Sequence, residues 1–201
     1  MNSGIRPWAS LARVASLVLL TAGGVLLARP AWHIARREVD RRHSRSMWAQ
    51  AQDRPEAGAS GEPAAWLNIP SCGIDTLVVR DASRENLHRF PCVTDPPPGV
   101  APCTNPGSNP AGGLLVITAH RDTHFRALGC IAPGDRIEIT FPNRGARHFR
   151  VADTEILEPG EAADRIARKR GEDGLVLMTC FPFRYIGPAP KRFVVWSKAD
   201  T

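Results

Sequence analysis

The chain has five cysteines but no Cys-x-x-Cys pair, which removes the zinc knuckle and the thioredoxin-type redox motif. It lacks the glutamate that would make "HRDTH" (120–124) a metalloprotease helix, because Arg121 stands in that place; no metal and no cofactor is expected. It lacks an internal repeat. It also lacks a basic excess in its larger part: residues 46–201 carry 18 basic and 18 acidic side chains. The net charge of +6 comes from residues 1–45, where eight arginines face Glu38 and Asp40 alone. A nucleic-acid partner needs a basic footprint on the domain itself, so that class is excluded. A basic N-terminal flank suits a lipid surface instead.

The apolar run 14–28, "VASLVLLTAGGVLLA", is fifteen residues long, short of the ~20 that cross a bilayer core. Extension to 8–34 supplies the length, with Trp8 and Trp32 at the interfaces and Arg13 and Arg29 snorkelling near the ends. The rival reading is a cleaved signal peptide. No small-x-small cleavage site precedes the Arg-rich stretch, so an uncleaved transmembrane anchor helix is expected. A literal positive-inside count, with six arginines from Arg29 to Arg45, would leave the rest of the chain in the cytoplasm.

Three segments follow: 1–45, anchor and basic flank; 46–63, a small, polar, Pro/Gly-bearing linker; and 64–201, a globular domain. In that domain short runs rich in β-branched residues occupy 65–70, 74–79, 113–119, 135–141, 147–157, 175–179 and 192–197. In "DRIEITF", Ile137, Ile139 and Phe141 alternate with Arg136, Glu138 and Thr140, the period of a half-buried strand. The stretch 147–157 is expected to bend or split at 152–154. Seven or eight short, evenly spaced strands predict a mainly β fold, a closed or nearly closed barrel. Helical patterning is confined to 82–89 and 161–170, with a turn after His120.

Two strands end in reactive side chains: "GLLVITAH" delivers His120 and "LVLMTC" delivers Cys180. A free thiol is mostly protonated at neutral pH, so a nucleophilic cysteine needs a base or cation beside it. Histidine can accept that proton and later return it. "KRF" opens the last strand, so Lys191 or Arg192 could project at the same end. Arginine is preferred, since its fixed fork of donors holds a carbonyl or oxyanion and stays charged. Arg184 is the rival by proximity to Cys180, and Asp122 could orient His120 or pair with Arg121. His124 is read as a satisfied or solvent-facing histidine, and Thr179 as a support for the strand end.

"ITAHRDTHFRAL…GDRIEITF" and "LVLMTCFPFRYIGPAPKRFVVWS" resemble the two signature regions of the sortases, membrane-anchored cysteine transpeptidases of bacterial surfaces. The likeness runs over about residues 64–198 and is strongest to the class D branch. It implies an eight-stranded sortase-type β-barrel with short helices. It implies Cys180 as nucleophile, His120 as general acid/base and Arg192 as stabilising cation. It further implies as partners surface proteins with a C-terminal Leu-Pro-x-Thr-type sorting signal, and an amine acceptor such as a cell-wall precursor or another protein. The implied location is the cell membrane, single-pass, with the catalytic domain outside the cytoplasm. A hydrolase with the same triad and a silent anchored binding module are the alternatives.

The sequence departs from the family pattern at Ala119, Met178 and Phe181, and at the longer, Pro-rich 88–109 segment. That segment holds Cys92 and Cys103 around "VTDPPPGVAP". With no strand or helix pattern to order it, a Cys92–Cys103 disulfide is expected; Cys72 and Cys130 could pair or be buried apart.

Overall fold

The computed structural model describes residues 7–53, 59–94, 113–169 and 171–200. Its elements are α1 (Pro7–Gln52), β1 (Pro63–Ile69), β2 (Ile74–Arg80), α2 (Arg84–Arg89), β3 (Cys92–Val93), β4 (Leu114–Thr118), β5 (Arg136–Phe141), β6 (Gly145–Leu157), α3 (Pro159–Arg168), β7 (Gly174–Phe181) and β8 (Lys191–Ala199). Single 3-10 turns occupy Pro70–Cys72 and Arg126–Cys130. The eight strands close in the order β1-β2-β3-β4-β7-β8-β6-β5. β2–β3 and β4–β7 are parallel and the other neighbours antiparallel.

Met1–His43 and Ser44–Thr201 form two compact units. The first is helical from Pro7, and among the described residues no helix is long and apolar enough to cross a membrane. In the second, α1 continues to Gln52 through the start of the segment read as a linker. Met47 and Trp48 pack against the cluster of Leu77, Val79 and Cys92, with the Trp48 ring 5.9 Å from that of Trp66. Residues 54–58 lie outside the described residues.

The barrel interior is filled by residues of one parity from each strand. Leu115 and Ile117 of β4, Leu175 and Leu177 of β7, and Phe193 and Val195 of β8 meet Ile137, Ile139 and Phe149 there. The opposite parity of the same three strands is also covered: Leu114, Val116, Val176, Val194 and Trp196 pack under Ala162 and Ile166 of α3. Burial on both faces is why β7 reads as an unbroken apolar run rather than an alternating one. Gly174 permits the close approach of β7 to β8, since a Cβ there would stand 2.7 Å from the Ser197 carbonyl oxygen.

The expected strands are present with three differences. The stretch 147–157 is one strand, extended to 145, that does not split; the bend expected at 152–154 is a bulge between Val151 and Asp153. β3, only two residues long, is an addition defined by its neighbours β2 and β4. The disulfide is the third. Cys72 pairs with Cys130, joining the two 3-10 turns across a Cα–Cα distance of 5.8 Å. Cys92 is a free thiol, fully buried in β3, with its Sγ directed at the Phe90 carbonyl. The Cys92–Cys103 bridge is therefore corrected: Cys92 is a core residue of the sheet, turned away from solvent-side chemistry. Cys103 lies outside the described residues.

Candidate active site

Sheet register pairs Cys180 with Arg192 and carries the end of β4, two residues before His120, alongside β7. β4 and β7 are parallel neighbours with Thr118 opposite Met178. That pair is the last of the ladder and is closed by the Ala119 amide, which donates to the Met178 carbonyl at 3.3 Å. Past it, the Thr179 hydroxyl donates to the Ala119 carbonyl, so the residue before Cys180 is bonded to the residue before His120. On the other side β7 and β8 are antiparallel, and Cys180 is the direct partner of Arg192. Side chains of directly paired residues leave the same sheet face with Cβ atoms roughly 4.5–5.5 Å apart. Parity gives the face: Val176 and Val194 lie beneath α3 outside the barrel, so Cys180 and Arg192 also point outward, at the end of the sheet beyond that helix.

All three side chains are half-buried, enough to be fixed by the frame and still be reached. Thr179, only 3% exposed, donates its hydroxyl to the Ala119 carbonyl at 2.7 Å. That bond joins the residue before the cysteine to the residue before the histidine. The expected supporting role of Thr179 thus has a partner. Arg192 Nη1 donates to the carbonyls of Lys191 at 3.0 Å and Ala189 at 3.4 Å. Lys191 turns away and faces Glu158, with 3.8 Å between Nζ and Oε1. Arg184 is exposed on the β7–β8 loop.

Arg121 does not pair with Asp122. Its Nη2 donates to the Tyr185 and Gly187 carbonyls, both at 3.0 Å, and its guanidinium lies 5.6 Å from the Tyr185 ring centroid. The residue after the histidine thereby holds the loop that joins the cysteine to the arginine. Beyond the cysteine, Phe183 packs edge-on against Phe181 and Phe193. Its ring sits so near Gly129 that a Cβ there would be 2.9 Å from Cε2. The disulfide at Cys130 is the next residue.

Among the described residues no cluster of three or more metal-ligating side chains occurs, and both ring nitrogens of His124 lie against protein oxygens. Its Nε2 donates to the Arg89 carbonyl at 2.8 Å and its Nδ1 lies 3.4 Å from the Thr76 hydroxyl. His88, which no sequence motif assigns to the site, is the neighbour of His120: their ring centroids are 5.3 Å apart. Neither periodicity nor spacing marks it. The relation arises from α2 reaching across to the β4 end.

Cys92, the other free thiol among the described residues, is no competitor. Burial foremost, and then the nearby Asp81 charge, push its pKa from 9.0 up to about 12, so it holds its proton at neutral pH.

Known proteins share this fold. The sortase domain family model matches residues 67–200. Sortase D of Bacillus subtilis (strain 168) is 26% identical over 152 residues, 76% of this chain and 70% of that protein. Among solved structures, the Sortase D5 transpeptidase of Clostridium perfringens superposes with a TM-score of 0.60 at 16% identity, covering 80% of this chain and 95% of that one. Sortase C of Streptococcus pneumoniae gives 0.56 at 18%, covering 80% and 90%. With the barrel, its strand-end cysteine and a family match over two thirds of its length, the chain belongs to the sortase family of cysteine transpeptidases.

Proposed function

We propose that Cys180 is the nucleophile, His120 the general acid/base and Arg192 the oxyanion-stabilising cation of an acyl transfer between a sorting signal and an amine. The observation that supports this is the pairing of Cys180 with Arg192, together with the bond from the Thr179 hydroxyl to the carbonyl of Ala119, the residue before His120. In the first half-reaction the Cys180 thiolate attacks the carbonyl carbon of the scissile peptide. The carbonyl π electrons move onto oxygen, and the Arg192 guanidinium balances that charge. The tetrahedral centre collapses, the C–N bond breaks, and the leaving amine takes a proton from imidazolium His120. A thioester remains on Sγ. In the second half-reaction an acceptor amine attacks that thioester, passes a proton to His120 and expels the Cys180 thiolate.

The substrate class proposed is a surface protein ending in a Leu-Pro-x-Thr-type signal, and the acceptor a primary amine on a cell-wall precursor or another protein. We further assign the chain to the membrane, with the catalytic domain outside the cytoplasm. The Cys72–Cys130 disulfide supports an oxidising compartment. The exposed Leu17, Val18, Leu19 and Leu20 of α1 support a lipid partner for that unit. Incubation of the protein with a library of Leu-Pro-x-Thr-like peptides plus a primary amine, read by mass spectrometry, tests the reaction. Peptide–amine adducts that vanish in C180A sustain the reading; hydrolysed peptide with no amine capture replaces it by a thiol hydrolase. Protease accessibility in spheroplasts tests the topology, and a protected domain refutes it.

A further inference from the structure

A general base must present one ring nitrogen along a fixed line, and a histidine is ordinarily held to that line by a hydrogen bond at its other nitrogen. Among the described residues, His120 receives no such bond. Its ring partner is instead the imidazole of His88, centroid to centroid 5.3 Å with planes tilted by 42°. That separation lies in the range of a packed aromatic pair.

We propose that His88 is a positioning residue for His120: α2 holds the His88 ring as a wall that fixes the plane of the catalytic imidazole. The inference rests on the reading of His120 as general acid/base. What distinguishes the contact from chance is how firmly a six-residue helix is held at the site. At its start Ser83 caps the helix by accepting from the Asn86 amide at 3.4 Å. Asn86 Nδ2 then donates to the Arg80 and Asp81 carbonyls at 3.3 and 3.1 Å, and to Ser60 Oγ at 3.1 Å. On its inner side Leu87 packs against the cluster of Leu77, Val79 and Cys92. At its end the Arg89 carbonyl accepts from His124, four residues after His120. The segment that carries His120 is thus tied to the residue that follows His88. Both ends of the His88–His120 contact are anchored independently of the contact itself.

His88 is exposed, so burial does not account for its placement. No hydrogen bond joins the two imidazoles, which argues for ring-on-ring positioning rather than proton relay. A flat ring at 88 is what the role requires; its nitrogens are not. This separates the proposal from a merely structural one, because a phenyl ring should serve and a methyl group should not.

The test uses the full chain in four forms: wild type, H88A, H88F and H120A, with a quenched Leu-Pro-x-Thr-type peptide and a primary amine. Loss of orientation without loss of the base should lower kcat about ten- to a hundredfold in H88A. KM should stay within about twofold, since the residue acts through His120 and not on substrate. H88F should recover kcat to within about threefold of wild type, because it restores the packed ring. Thermal unfolding confirms that each form is folded. Carbon-13-labelled histidine spectra need no substrate: the His120 ring resonance should broaden in H88A and remain sharp in H88F. If H120A is inactive while H88A turns over and resonates as wild type, the positioning role is overturned and the acid/base reading stands. If H88F is as poor as H88A, the nitrogens matter and ring packing is refuted. A loss carried by KM overturns it too, making α2 a substrate contact. An active H120A instead removes the acid/base reading itself.

Discussion

The hydroxyl of Thr179 donates to the carbonyl of Ala119 across 2.7 Å inside the protein, one residue short of Cys180 on one strand and of His120 on the other. β4 has already ended at Thr118, while β7 continues to Phe181. This side-chain bond extends the union of the two chains to the place where the reactive groups diverge from the sheet. Replacement by valine keeps the shape and removes the donor, leaving a buried carbonyl unsatisfied. T179V should lose about 1–3 kcal/mol of stability, measured by denaturant unfolding. It should also lose more kcat than KM, since His120 is displaced relative to Cys180. Wild-type stability and kcat in T179V would show that the bond carries neither.

Arg121 is the second tie. One guanidinium nitrogen holds two carbonyls of the β7–β8 loop, and a lysine ammonium, a point charge on a flexible stem, cannot reproduce the planar fork together with the stacking on Tyr185. Hydrogen exchange across residues 182–190 should speed in R121A and, less strongly, in R121K. Activity should fall in the same order, because that loop connects Cys180 to Arg192. Unchanged exchange in R121A would remove the tie.

Much of this site is legible in the sequence, and the reasons are local. "GLLVITAH" and "LVLMTC" are apolar runs that end in His120 and Cys180, and a strand end is recognisable where hydrophobicity stops. Their adjacency is another matter. β4 and β7 are parallel neighbours separated by β5, β6 and α3 in the chain, and no periodicity encodes which strands pair. β3 escapes a sequence pattern because two residues have no period. The end of α1 escapes because "SMWAQAQ" reads as small and polar, whereas its Met47 and Trp48 are apolar contacts for the barrel. The Cys92–Cys103 expectation fails for a related reason: proline density around Cys103 points to the loop, while Cys92 belongs to a strand core. His88 and the Cys72–Cys130 pair are relations through space, and a sequence displays neither.

Cys92 supplies a pH-dependent prediction. Its folded pKa of about 12 stands above its ordinary 9.0. Below about pH 9 the thiol is protonated in both folded and unfolded chains, and its burial contributes fully. As pH rises from about 9 towards 12 the unfolded chain ionises first, and that contribution is lost. Stability should therefore decline over this window more steeply in wild type than in C92A, compared by urea unfolding at matched pH. At pH 7, alkylation followed by peptide mapping should label Cys180 in the native protein and leave Cys92 unmodified until denaturant is added. Labelling of native Cys92 at a rate like that of Cys180 would contradict its burial.

The last prediction concerns the disulfide. Cys72 and Cys130 are 58 residues apart in sequence, and closing a loop of that length costs the unfolded chain about 4 kcal/mol of entropy on the chain-statistics account. The bridge lies against the site as well. Gly129 precedes Cys130 and leaves room for the Phe183 ring, whose Cε2 would stand 2.9 Å from a Cβ there, and Phe183 packs on Phe181, the residue after Cys180. Removing the bond should therefore act twice. The C72A/C130A variant should lower the thermal midpoint, and reduction of the wild type should lower it similarly. At temperatures where the variant remains folded, KM for the peptide should rise, because the aromatic wall beside Cys180 has lost its shelf. Gly129→Val in the oxidised protein separates the two effects: it should raise KM with the bridge intact, by forcing Phe183 from its seat. A wild-type KM in both proteins would confine the disulfide to stability alone.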